Sequence, residues 1–90
     1  MKILLVEGDA NNRLLVQDYL EYYGHSVCAL ADDQRFYEIL ISFKPDLIML
    51  DLRLPDLKGY NVLKRIKEVP AWQHIPVLVV STLSFRTHQQ

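Results

Sequence analysis

Residues 47–59 read LIMLDLRLPDLKG, an apolar run that stops at Asp51 and is followed by a loop containing Leu54, Pro55 and Gly59. Consecutive apolar residues without polar alternation are the pattern of a strand covered on both faces, which occurs mainly in parallel sheets flanked by helices. Working outward, residues 3–6, 26–31, 47–52 and 77–80 all share that pattern. Helical periodicity lies between them. From about 11 to 23, Leu15 and Tyr19, with Val16, Leu20 and Tyr23, form an apolar stripe at spacings of three and four. Asp9 is its candidate N-cap and Gly24 its candidate C-terminal stop. A second helix is expected from Asp32 or Asp33, with Phe36, Ile39, Leu40 and Phe43 inward, ended by Pro45. A third begins near Gly59 and carries Leu63 and Ile66 inward, with Lys64, Arg65, Lys67 and Glu68 on a solvated face. Strand and helix in strict alternation is the βαβ order of an open parallel sheet with right-handed crossovers.

The chain has 90 residues, enough for one small domain of marginal stability. Half are hydrophobic and 23% are charged, which excludes global disorder. A net charge of −1 gives no basic footprint for nucleic acid and no polybasic arm for a membrane surface. Cys28 stands alone in an apolar run, which reads as a buried thiol and leaves no disulfide framework. No apolar stretch approaches the roughly 20 residues of a membrane span, and Met1 and Lys2 run into the first strand without a leader pattern. A cytoplasmic protein is the expectation.

In open α/β sheets, ligands sit beyond the carboxyl ends of the strands, near the point where strand order reverses. The residues at those ends are Glu7, Gly8 and Asp9, then Asp51, then Ser81 and Thr82. A carboxylate closing a strand as apolar as LIML is costly unless a metal, a cation or helix-end amides compensate it. The loop that follows puts the next helix too far away for Asp51 to cap it, so Asp51 is the leading candidate for chemistry. Glu7, on a neighbouring parallel strand, would place a second acid at the same rim. Two acids there suit a hard divalent cation such as Mg²⁺. Asp9 has two readings, helix cap and additional ligand. Ser81 also has two, a donor to an oxyanion held at Asp51 or a strand-end hydroxyl satisfying backbone. There is no phosphate-cradling glycine loop, and His25, His74 and His88 lack zinc-ligand spacing. Trp72 and His74 read as part of a loop packed on its neighbours.

With these residues in view, the sequence resembles the receiver domain of bacterial response regulators, the module of two-component signalling. KILLVE at 2–7, Asn12 and Arg13, PDLIMLDLRLP at 45–55, Gly59 and IPVLVVS at 75–81 match that family in order and spacing. The most specific piece is Asp51, Pro55 and Gly59 behind an apolar strand. The resemblance implies a flavodoxin-like, three-layer α/β/α fold with strand order 2-1-3-4. It implies Asp51 as phosphoacceptor from a histidine kinase or phosphotransfer protein, and Ser81 as the switch hydroxyl. Mg²⁺ would be held by Glu7, Asp51 and the backbone carbonyl of Arg53, with Asp9 as a substitute ligand if its loop bends. The domain would be a phosphorelay module and not an enzyme, with a population shift as its output.

Two departures accompany the resemblance. Gly8 stands where the family has its second, metal-binding acid, so weak Mg²⁺ binding is expected. The chain also lacks the family's fourth helix, fifth strand, fifth helix and phosphate-contacting lysine, so residues 1–90 read as a single incomplete receiver-like domain. An uncovered fourth strand would then invite a homo-oligomer, paired edge to edge or by exchange of elements, or else mark a fragment whose missing part normally completes it. The main alternative is a pseudo-receiver, an interaction module without phosphoryl chemistry. A dehalogenase-type phosphatase also uses a strand-end Asp, but wants an acid two residues later, where this chain has Arg53.

Overall fold

The computed structural model describes residues 1–51 and 58–80. In chain order it contains β1 (Lys2–Val6), α1 (Ala10–Tyr22), β2 (Ser26–Leu30), α2 (Phe36–Phe43), β3 (Leu47–Asp51), α3 (Lys58–Glu68) and β4 (Val77–Val80). The strands form one parallel sheet in the order β2-β1-β3-β4. Its register pairs Leu4 with Cys28 and Ile48, and Asp51 with Val80. The strands, their order and the three intervening helices match the sequence reading. Among the described residues no helix is long and apolar enough to cross a membrane.

Alternation along β1 sends Leu4 and Val6 to one face and Ile3 and Leu5 to the other. All four are buried. Leu4 and Val6 join Phe36, Leu40, Ile48, Leu50, Val62, Ile66 and Ile75 in the main core. Each large side chain so enclosed contributes about 1.5–3 kcal/mol. Cys28 is half-buried against this core, as is Trp72, whose indole stacks on Tyr37 at 5.6 Å. On α3 the fully buried pair is Val62 and Ile66, with Leu63 only partly covered. Lys64, Arg65, Lys67 and Glu68 are exposed, as expected, and the Arg65 guanidinium sits 5.0 Å over the Tyr37 ring.

The helix boundaries have local causes. Asp9, in extended backbone, accepts from the Asn12 amide and caps α1. Gly24 ends it at φ 91°, a conformation costly for any side chain. Lys44 turns α2 off through left-handed backbone at φ 53° immediately before Pro45. Three expectations need correction. The second helix starts at Phe36 and not at Asp32 or Asp33, because the Asp32 carboxylate accepts from the Gln34 amide and holds a turn there. On α1, Val16 and Leu20 are half-buried, but Leu15, Tyr19 and Tyr23 of the expected stripe are exposed. Finally, β4 is not covered on both faces: Leu78 is 50% exposed and Val79 39%. The helices account for this, since α1 lies against β2 and β1, and α3 against β3.

Candidate functional site: an acidic pair at the strand ends

Sheet register creates the site. Val6 pairs with Leu50, so the next residue on each strand, Glu7 and Asp51, emerges at the same rim. Both are buried, Glu7 at 2% exposure and Asp51 at 5%, and among the described residues they are the two acids enclosed with the core. Asp51 lies close enough to Glu7 for its side chain and charge to act on the Glu7 carboxyl. A second negative charge beside a buried carboxyl disfavours the ionised form of Glu7.

Glu7 is tied down at every polar group. Its amide donates to the Leu30 carbonyl at 3.0 Å, across to β2. Its Oε2 accepts from the Asp9 amide at 3.0 Å, and its carbonyl oxygen accepts from Arg13 Nη1 at 2.9 Å. Burial pushes the Glu7 carboxyl above its usual range, and the hydrogen bond and negative charge of Asp51 push it the same way. The Asp9 amide opposes the shift by favouring the ionised form. A bound cation would do the same more strongly.

Of the sequence candidates, the fold brings Glu7 and Asp51 together. Asp9 is exposed at the first turn of α1, with its Oδ1 2.9 Å from the Asn12 amide, so the cap occupies this carboxylate. Gly8, between the two acids, is exposed and offers no side-chain oxygen. The Arg53 carbonyl and Ser81 hydroxyl lie outside the described residues. Among the described residues no group of three His, Cys, Asp or Glu converges to hold a metal. His25 accepts from the amino terminus at 3.0 Å, at the start of β1 and remote from the rim. A groove of about 390 Å³, lined by Leu40, Pro45, Trp72 and Ile75 among others, also lies away from the acids, beside the starts of β3 and β4.

Arg13 was visible in the sequence only as part of a matching pattern. Its reach back to Glu7 depends on the path of the turn between β1 and α1, which residue types alone do not give. The one available signal was its spacing, six residues past a strand-end acid and in the first turn of a helix.

Comparison with known proteins accords with this geometry. Residues 3–89 match the family model of the response regulator receiver domain. Protein RcaC of Microchaete diplosiphon is 31% identical over 88 residues, which covers 98% of this chain and 14% of that protein. The N-terminal domain of a response regulator receiver protein from Methanoculleus marisnigri JR1 superposes with a TM-score of 0.80 at 31% identity, over 87% of this chain and 63% of that one. The Mn²⁺-bound form of response regulator Rcp1 gives 0.78 at 36% identity, over 90% of this chain and 65% of its own. The chain thus spans a small part of RcaC and under two thirds of these solved chains. With its parallel sheet in the order 2-1-3-4 and an acid closing both central strands, the chain belongs to the response regulator receiver domain family of two-component signalling.

Proposed function

We propose that this domain accepts a phosphoryl group on Asp51 from the phosphohistidine of a histidine kinase or phosphotransfer protein, at a site where Glu7 and Asp51 hold Mg²⁺. The observation that carries the reading is the buried, adjacent acidic pair at the ends of β1 and β3. Two adjacent carboxylates form an oxygen donor set suited to a hard divalent cation. Glu7, Asp51 and the Arg53 carbonyl would be its protein ligands, and when bound the cation offsets charge on the transferring phosphoryl group. An Asp51 carboxylate oxygen forms the new P–O bond as the P–N bond to the donor histidine breaks. The buried setting of Asp51 limits water at the attacking oxygen. Ser81 is assigned as the hydroxyl that turns toward the phosphorylated Asp51.

Gly8 supports a second reading, a pseudo-receiver that binds partners without phosphoryl chemistry, because the rim has one acid fewer than the family pattern. Incubation with acetyl phosphate and Mg²⁺, followed by intact mass, separates the two. Phosphoacceptor function predicts an adduct of about 80 Da that Asp51→Asn abolishes. It also predicts that Gly8→Asp tightens Mg²⁺ binding by at least about tenfold, as a charge about 4 Å from a cation should. Absence of the adduct at saturating donor, in both wild type and Gly8→Asp, establishes the pseudo-receiver.

A further inference from the structure

Arg13 is half-buried at the start of α1 and turns back toward the strand it follows. Its guanidinium Nη1 donates to the Glu7 carbonyl at 2.9 Å, and its own amide donates to the Asp9 carbonyl at 2.8 Å. Between these two anchors lies Gly8, the residue type with the widest backbone freedom. The Asp9 amide in turn donates to Glu7 Oε2. Three hydrogen bonds therefore close the turn of residues 7–9, and Arg13 supplies two of them.

We infer that Arg13 is a positioning residue: it locks the glycine-containing turn and thereby aims the Glu7 carboxyl at Asp51. This rests on the reading of Glu7 and Asp51 as the cation-binding pair for its functional consequence, though the lock itself exists without metal. An oxygen ligand is useful only where its lone pairs face the cation, and groups that hold metal ligands in place typically matter about 10–100-fold in affinity. Electrostatics alone predicts the opposite sign. A guanidinium near a divalent cation repels it, so removing a bystander arginine tightens binding. The sign of the change therefore separates a lock from a bystander.

The experiment uses the full chain as wild type, Arg13→Ala and Arg13→Lys. In metal-free protein, hydrogen exchange of the Asp9 amide reads the lock, with the Leu5 amide in the middle of β1 as the internal reference. Mn²⁺ affinity, counted from the free ion by electron paramagnetic resonance, reads its consequence. The lock predicts that Arg13→Ala lowers Asp9 protection and Mn²⁺ affinity by about tenfold each, at unchanged Leu5 protection. Arg13→Lys, which keeps a donor, restores part of both and serves alone if the alanine variant does not fold. Unchanged Asp9 protection, or tighter Mn²⁺ binding in either variant, overturns the inference. A wild type that binds no Mn²⁺ while Arg13→Ala still loses Asp9 protection supports the lock and overturns the cation reading of the pair.

Discussion

Glu7 is a strand-end acid whose neighbours make ionisation costly. Burial and the adjoining Asp51 hold its folded pKa above the ordinary 4.5. Between those two values the folded chain keeps a proton that the unfolded chain has lost. Stability from this group is therefore complete below pH 4.5 and is lost as pH rises through the folded pKa. The slope for one proton is at most about 1.4 kcal/mol per pH unit. Glu7→Gln should flatten the profile and be the more stable protein at neutral pH without metal. Urea midpoints for both proteins across pH 4 to 8, in chelator, check this, and parallel profiles would sink it. The pair itself was legible from sequence, because two apolar runs each end in an acid and neighbouring parallel strands end at one rim. The Glu7 shift and the Arg13 contact were not, since both depend on the path of three loop residues.

Among the elements, α1 shows where sequence periodicity stops being informative. Its limits were readable from Asp9 and Gly24, because capping chemistry is local. Its rotation was not. Position 13 is tied to Glu7 and turns inward with Val16, Gln17 and Leu20, leaving Leu15, Tyr19 and Tyr22 facing outward. Apolar spacing could not distinguish the two faces because both carry apolar side chains. A similar limit applies at α2, where Asp32 resembles a cap but serves a preceding turn. The cap at α1 separates the two readings of Asp9. Asp9→Ala should cost about 1 kcal/mol by leaving the Asn12 amide without its acceptor. Asp9→Ser keeps a capping oxygen and should retain stability, and with the Asp9 carboxylate engaged at the cap it should also retain Mn²⁺ affinity. Urea denaturation and Mn²⁺ titration of the two variants check both halves. A loss of Mn²⁺ binding in Asp9→Ser as large as in Glu7→Gln would make Asp9 a metal ligand after all.

Across the whole molecule the sheet is unevenly covered. The core gathers on the face of α2 and α3, while β4 forms one margin of the described sheet with Leu78 half exposed. The β4 run VLVV contains neither the charge nor the proline that usually blunts a sheet edge. A strand at the margin of the described sheet, with exposed valine and leucine, favours pairing with another chain. The outward face of α1 adds further apolar surface, with Tyr22 82% exposed. We therefore predict self-association of this chain through β4. Light scattering coupled to size exclusion at about 10–100 μM should give a mass above that of the monomer, within the concentration range where exposed edges associate. Leu78→Lys places a charge on that strand and should shift the mass toward monomer while leaving the buried core, and hence cooperative unfolding, intact. If elements are exchanged between copies instead, Leu78→Lys leaves the mass unchanged, because the contacts formed are those already inside the fold. A monomeric wild type across that range, unfolding cooperatively, would mean that β4 is protected by residues outside those described, and the prediction fails.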